Sequence, residues 1–109
     1  MSIIQRFSKF LTSIEYPKSS ASWNIAGMIK GQNAYYKFDV KNMEQISSGE
    51  WARKGNTNSK ADKMVFELKN HWVIVDVIEL HQYLKITKTR LVHLDELLKC
   101  LEWNIKLSK

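Results

Sequence analysis

Residues 64–77, MVFELKNHWVIVDV, contain two apolar runs separated by the polar residues Lys69, Asn70 and His71. A short polar break between two runs rich in β-formers is typical of a β-hairpin. The second run, residues 72–77, is almost continuous in β-branched side chains, which is the pattern of a strand buried on both faces. The stretch therefore predicts a hairpin whose second strand lies inside the core.

A second hairpin is predicted upstream, over residues 23–40. Its strands are WNIAGMI (23–29) and AYYKFDV (34–40), which flank the turn sequence KGQN. Because side chains alternate across a strand, Tyr36 and Phe38 are expected to face the core. Tyr35 and Lys37 then face away from it, which gives one side of this strand an aromatic and a cationic residue.

Helical spacing of apolar residues occurs three times. It occurs over residues 2–14, where Ser2 is a candidate N-cap, over 78–86, and over 94–101. Residues 103–107 alternate like a short closing strand. The order α-β-β-(loop)-β-β-α-α-β predicts one α+β domain over residues 1–109. We expect a single sheet of about four or five mostly antiparallel strands, with the N-terminal and C-terminal helices packed mainly on one face.

The chain has 109 residues, with 17 Lys+Arg against 11 Asp+Glu and a formal net charge of +6. Such an excess of positive charge favours encounters with polyanions such as nucleic acid. It is equally consistent with a small protein that is kept soluble by its charge. Only three of the basic residues are Arg. Because Lys contacts phosphate as a point charge, we expect weak sequence selectivity from any nucleic-acid contact.

Cysteine usage and hydropathy bear on the compartment. Cys100 is the one cysteine, so an internal disulfide is excluded and a reducing, cytoplasmic location is expected. Since Cys100 lies beside a stripe of leucines, we expect a buried and inert thiol. No apolar run approaches the roughly 20 residues of a membrane-spanning helix, so no membrane partner is predicted. No glycine-rich phosphate loop is present, and no cofactor is predicted.

Residues 47–61 are predicted to form a long polar loop, which in a compact domain is often functional or disordered. The segment from Trp51 to Lys63 combines cations, hydrogen-bonding side chains and an indole that could stack on a base. The alternative is an ordinary solvated loop with Trp51 packed back onto the core. On the first interpretation, nucleic-acid contacts are predicted at Tyr35, Lys37, Trp51, Arg53, Lys54, Asn56, Asn58, Lys60 and Lys63.

Two acidic residues near the predicted second hairpin, Asp62 and Asp76, lie 14 positions apart and follow a predicted helix that ends at Glu15. The arrangement resembles the restriction-endonuclease-like PD-(D/E)xK family. That family has an acid at a strand start, an acid-x-lysine on the neighbouring strand and often a helical Glu upstream. The resemblance implies catalytic roles for Glu15, Asp62 and Asp76, with Asp62 and Asp76 as ligands of a divalent metal ion.

The chain departs from that family at Ile78, which occupies the lysine position and can neither orient water nor offset developing charge. The triplet Asp39-Val40-Lys41 does contain an acid-x-lysine, but no acidic partner is evident on the preceding predicted strand. Asp76 also has a structural interpretation, as the residue that ends a strand and caps the next helix.

Three functional hypotheses follow. The leading one is a small basic protein that contacts the nucleic-acid backbone without catalysis. The second is a protein-interaction or inhibitor module, which acts on a partner protein or as a homo-oligomer. The third is a metal-dependent nuclease of the restriction-endonuclease-like fold, and only this one requires a divalent metal ion.

Overall fold

A computed structural model describes residues 1–18, 22–54, 59–89 and 91–109. Within these ranges the chain has three helices and nine strands. The helices are α1 (Ile3–Ser8), α2 (Val77–Thr87) and α3 (Leu94–Cys100). The strands are β1 (Leu11–Glu15), β2 (Ile25–Ile29), β3 (Tyr35–Asn42), β4 (Glu44–Gln45), β5 (Trp51–Lys54), β6 (Lys63–Glu67), β7 (His71–Asp76), β8 (Leu91–His93) and β9 (Asn104–Ser108).

The strands form two sheets. The larger has six strands in the order β1-β2-β3-β6-β7-β9, and the smaller has three in the order β4-β5-β8. Both predicted hairpins are confirmed, since β2 pairs antiparallel with β3 and β6 with β7. The two hairpins join through parallel pairing of β3 with β6. The α+β class is confirmed, but a single sheet of four or five mostly antiparallel strands was too simple: the main sheet is mixed and a second sheet exists.

The main sheet is buried on both faces at its centre. Val65, Trp72 and Ile74 pack with Phe7 of α1 on one face. The alternate side chains of the same two strands, such as Phe66 and Val73, pack with residues of α2 and α3 on the other face. Burial of β7 on both faces is therefore confirmed. The expectation that the helices pack mainly on one face is wrong, because a strand that is apolar on both sides needs a cover on both sides.

The N-terminal helix is shorter than its periodicity predicts. Ser2 caps it as expected: its hydroxyl accepts from the N–H of Gln5 at 3.1 Å, while the Gln5 side chain accepts from the N–H of Ser2 at 2.9 Å. The helix ends at Ser8, and residues 11–15 form an edge strand paired with β2. Here backbone pairing with the open edge of β2 outweighs a helical pattern of side chains.

The polar segment 47–61 is not a loop throughout. Trp51–Lys54 form strand β5, which pairs with β4 on one side and β8 on the other. Ala52 is 1% exposed, and Trp51 packs partly against the core. The prediction of a buried thiol is also wrong, because Cys100 at the end of α3 is exposed.

We predict that Gly27→Ala destabilises the protein by about 2 kcal/mol. A Cβ at position 27 would lie 2.7 Å from the carbonyl oxygen of Thr12 and 3.4 Å from Cβ of Leu11. Strand β1 would therefore have to move away from β2. Urea unfolding measures the change, with the exposed Lys30→Ala as the control. Equal stabilities of the two variants would contradict the close approach of β1 to β2.

Candidate nucleic-acid interface on strand β3

Four alternating side chains of β3, namely Tyr35, Lys37, Asp39 and Lys41, share one side of the strand, and we call them the β3 face. Their neighbours Phe38 and Val40 point to the opposite side, into the core beneath α1. Tyr35 and Lys37 are exposed, as the alternation predicts. The β3 face thus places two cations and a tyrosine around a carboxylate on the central hairpin of the sheet.

Asp39 is the buried centre of this face. It is 3% exposed, and its Oδ1 lies 3.2 Å from Nζ of Lys41. Asn24 lies beside it, since the N–H of Asn24 donates to the carbonyl of Phe38 at 2.8 Å and its side-chain oxygen accepts from the N–H of Val40 at 2.6 Å. One carboxylate, one amide and one ammonium are therefore held together at the start of the β2–β3 hairpin.

Lys37 and Asp62 are joined through the backbone. The N–H of Lys37 donates to Oδ2 of Asp62 at 2.9 Å, and the N–H of Asp62 donates to the carbonyl of Lys37 at 2.8 Å. The Lys37 ammonium lies 5.5 Å from the ring centroid of Trp23. Asp62 therefore continues the β3–β6 pairing by one residue, while Lys37 keeps an exposed cation against an indole.

Glu15 lies at the other edge of the same face. Desolvation raises the pKa of Tyr35, and a hydrogen bond and the negative charge of Glu15 raise it further. Glu15 belongs to the strand β1, not to a helix as the family resemblance requires. Its carboxylate lies near Tyr35 at the edge of the sheet.

The β5 residues reach the far end of β3. Nη1 of Arg53 donates to the carbonyl oxygen and to the side-chain oxygen of Asn42, each at 2.9 Å. Lys60 is exposed, and its N–H donates to the hydroxyl of Ser22 at 2.8 Å. The predicted contacts at Asn56 and Asn58, and the side chain of Lys54, lie outside the described part of the structure.

Lys63 is not a surface cation. It is 8% exposed, with Nζ at 2.9 Å from Oδ1 of Asp76 and at 3.9 and 4.8 Å from the ring centroids of Trp103 and Tyr36. An ammonium enclosed by two aromatic rings and a carboxylate is satisfied within the protein. The prediction that Lys63 contacts phosphate is therefore wrong.

Asp76 uses both carboxylate oxygens inside the fold. Oδ1 accepts from Lys63, and Oδ2 accepts from the N–H of Glu79 at 3.1 Å in the first turn of α2. Partial burial would raise the pKa of Asp76, but the hydrogen bonds from Lys63 and from the N–H of Glu79 outweigh it and hold the pKa below its usual value. The interpretation of Asp76 as a helix cap is confirmed.

The three acids of the predicted nuclease site have separate partners: Glu15 has Tyr35, Asp62 has the backbone of Lys37, and Asp76 has Lys63. Over residues 1–18, 22–54, 59–89 and 91–109, no group of three His, Cys, Asp or Glu side chains could hold a metal ion.

The triplet Asp39-Val40-Lys41 still lacks an acidic partner on the preceding strand, because Asn24 is the residue beside it. The position of Asn24 beside Asp39 follows from the register of the β2–β3 hairpin. Ile25 pairs with Phe38, so the residue before Ile25 must flank Asp39.

Comparison with known proteins gives one similarity. The fold is similar to the solved structure of a bacterial homing endonuclease, I-Ssp6803I, with a TM-score of 0.57 and 14% sequence identity. The similarity covers 84% of this chain and 69% of the endonuclease. No protein-family profile and no curated protein matches the sequence. The chain therefore shares its fold with a nuclease.

Among the described residues, no helix is long and apolar enough to cross a bilayer.

We predict that Asp76→Asn lowers the free energy of unfolding by about 2 kcal/mol at pH 7, because it leaves the Lys63 charge buried without its partner. The pKa of Asp76 is lowered in the folded state. Its contribution is therefore present above the unfolded pKa of about 4 and is lost as the pH falls through the folded pKa. Urea unfolding at pH 7 and pH 3 should show a penalty that shrinks with acid.

The control is Asp95→Asn, at an exposed position of α3. It should change stability by no more than about 0.5 kcal/mol. An Asp76→Asn penalty of the same size at both pH values would argue against the ion pair as its cause.

Proposed function

We propose that this protein binds nucleic acid through the β3 face, on a sheet of the kind used by a homing endonuclease. The observation that supports it most directly is the pair Lys37 and Lys41 on one side of β3, with Arg53 at its end. A strand rises about 3.3 Å per residue, so these two lysines are about 13 Å apart along β3. One nucleic-acid strand laid along β3 can contact both.

The chemistry of the face favours contact with the backbone over reading of bases. Lys37 and Lys60 are exposed ammonium groups, which neutralise phosphates without regard to sequence. Tyr35 is 44% exposed, and the Trp23 ring lies beside Lys37, so two aromatic rings lie near the proposed path. Sugar or base stacking on those rings would add affinity with little sequence preference.

Trp51 has less ring surface available for contact with nucleic acid than the sequence predicts. Its ring is partly buried against the core, so only part of the indole is available. Arg53 is already oriented by Asn42 through Nη1, and its other guanidinium N–H groups have no acceptor among the described residues, so they can donate to a phosphate. We therefore place Arg53 rather than Trp51 at the end of the interface.

We predict that the double variant Lys37→Gln/Arg53→Gln weakens binding to a short DNA duplex by about tenfold at low salt. Each lost phosphate contact removes close to one counterion from the salt dependence, so the slope of log K against log [salt] should become shallower by about two. Fluorescence anisotropy at several salt concentrations measures both quantities.

The matched control is Lys85→Gln/Lys99→Gln, which removes the same two charges from exposed positions of α2 and α3. It should keep most of the affinity and the slope. Equal losses in the two double variants would show that net charge alone, and not the β3 face, determines binding.

Hydrolysis of the bound strand is the second candidate function, and the Asp39–Lys41 pair favours it. A carboxylate 3.2 Å from an ammonium combines a possible metal ligand with a cation that can position water or offset charge. We place this candidate site at Asp39 rather than at Asp62 and Asp76, since both oxygens of Asp76 are engaged within the fold.

If the site is catalytic, incubation of the protein with plasmid and Mg²⁺ or Mn²⁺ should nick the DNA. Asp39→Asn should then abolish nicking, because it removes the one buried carboxylate of the face, whereas Asp95→Asn should leave it intact. Gel electrophoresis of the plasmid measures the result. Nicking that persists in Asp39→Asn, or plasmid that stays intact with the unsubstituted protein, would rule out hydrolysis at Asp39 as a function.

The protein-interaction alternative and the cytoplasmic location stay predictions. If the chain acts on a partner protein or as a homo-oligomer, its mass by size-exclusion chromatography or a nuclease-insensitive pull-down will reveal the complex. Binding that survives nuclease treatment would favour this alternative over the nucleic-acid proposal.

A further inference from the structure

A cavity of about 330 Å³ lies between α1 and the beginning of β7. Its six lining residues are Met1, Gln5, Arg6, Lys9, Trp72 and Lys109. Trp72 belongs to the core beneath α1, whereas Lys41 lies on the side of the sheet away from it. The cavity is therefore separate from the β3 face and plays no part in the function proposed above.

Most of the surface that lines this open cavity is apolar, but the charged groups along it have one sign. Three of the six lining residues are basic, and none is acidic. Glu67 lies behind the wall: it accepts from Nε and Nη2 of Arg6 at 2.9 and 2.8 Å, and its Oε2 lies 3.2 Å from Nζ of Lys109. The Arg6 hydrogen bonds hold the pKa of Glu67 below its usual value, so Glu67 is a full negative charge near neutral pH.

Three cations and one carboxylate leave a local charge of +2 around the space. Lys9 has no carboxylate within ion-pair distance among the described residues, and its ammonium lies 5.1 Å from the ring centroid of Phe10. The excess charge thus faces a cavity rather than an acidic neighbour.

The second observation is independent of charge. Trp72 is 1% exposed, and its indole Nε1 has no hydrogen-bond partner among the described residues. The indole N–H can only donate, and buried donors in native proteins nearly always have an acceptor. Because Trp72 lines the cavity, a ligand with an acceptor oxygen would give this buried donor a partner.

We propose that this cavity binds the phosphate group of a small phosphomonoester. A phosphomonoester carries a charge of about −1.5 to −2 near pH 7 and three strong acceptor oxygens, which matches the local charge of +2 and the vacant indole donor. Lys9 and Lys109 would contact the phosphate from the rim. Arg6 would donate with the N–H groups that are used neither by Glu67 nor by the carbonyl oxygen of Met1, which accepts from Nη1 at 2.7 Å.

The volume supports a ligand larger than phosphate alone, since it falls at the lower end of the range of small-molecule sites, about 300–1,000 Å³. Met1 and the Trp72 indole give one wall apolar character, suited to a base or another flat group. The phosphate could belong to a free nucleotide or to the 5′ end of a nucleic-acid strand, and the two sources share the same chemistry at Trp72.

The test is the ¹⁵N–¹H spectrum of the tryptophan indoles, which has four cross-peaks because the chain has four Trp. Trp72→Phe assigns the peak of interest. If that variant does not fold, Trp→Phe substitutions at positions 23, 51 and 103 assign it by elimination. The probes are inorganic phosphate, adenosine 5′-monophosphate and uncharged adenosine. We expect the Trp72 peak to shift saturably with the monophosphate and to stay in place with adenosine.

Substitutions locate the site. Lys9→Gln/Lys109→Gln should weaken the monophosphate shift about tenfold, and the equally charged control Lys85→Gln/Lys99→Gln should leave it unchanged. Lys37→Gln/Arg53→Gln should also leave it unchanged, so that failure of this proposal and failure of the β3-face proposal can be told apart. An unmoved Trp72 peak at tens of millimolar monophosphate, or an equal shift with adenosine, would overturn the proposal.

Oligonucleotides with and without a 5′-phosphate distinguish the two sources. Tighter binding of the phosphorylated oligonucleotide than of the mononucleotide at Trp72 supports a strand end as the ligand. Tighter binding of the mononucleotide supports a free nucleotide.

Discussion

The parallel pairing of β3 with β6 is the constraint on which the rest of the structure depends. It runs from Phe38 opposite Lys63 to Asn42 opposite Glu67, and it joins two locally formed hairpins into one sheet. Because parallel neighbours need a long crossover, the chain between them must leave the sheet and return. That crossover contains β4 and β5, and it ends at Asp62, whose carboxylate and N–H both bind the backbone of Lys37. The same pairing places the β3 face next to β6, whose side chains are buried on both faces of the sheet.

The sequence predicted what local pattern decides and missed what distant pairing decides. Alternation and turn residues were enough for both hairpins, and the β-branched run was enough to predict that β7 is buried on both sides. The pairing between the hairpins is set by burial across the whole sheet, and no local pattern reveals it. Residues 11–15 show the same limit, because their helical spacing yields to the free edge of β2, with the positive φ of 55° at Ser13 marking the irregular pairing.

In the candidate site, too, some features follow from the local sequence pattern and others depend on contacts between distant residues. Exposure of Tyr35 and Lys37 follows from alternation alone, and the neighbourhood of Asn24 and Asp39 follows from the register of the hairpin. The burial of the Lys63 side chain could not be predicted, because the groups that enclose it come from β3, from the end of β7 and from the segment before β9. A lysine that follows a polar segment and an aspartate looks exposed in the sequence. Only the tertiary structure shows that two aromatic rings and Asp76 satisfy it.

The formal charge of +6 has a long-range effect, which depends on the whole molecule, and a local effect, which depends on how the charges are arranged on each surface. Exposed lysines occur on α2, α3 and β9 as well as on β3, so attraction to a polyanion comes from many sides of the molecule and is screened over about 10 Å at moderate salt. On the β3 face itself Asp39 offsets one of the two lysine charges, and the carboxylates of Asp62 and Glu15 lie beside the face. Long-range charge therefore attracts polyanions from many directions, whereas the spacing of cations and carboxylates sets the local potential. The exposed lysines of α2, α3 and β9 have no carboxylate within ion-pair distance among the described residues, whereas Nζ of Lys41 lies 3.2 Å from the buried Asp39. The Asp39–Lys41 pair is thus the feature that distinguishes the β3 face from the other lysine-bearing surfaces.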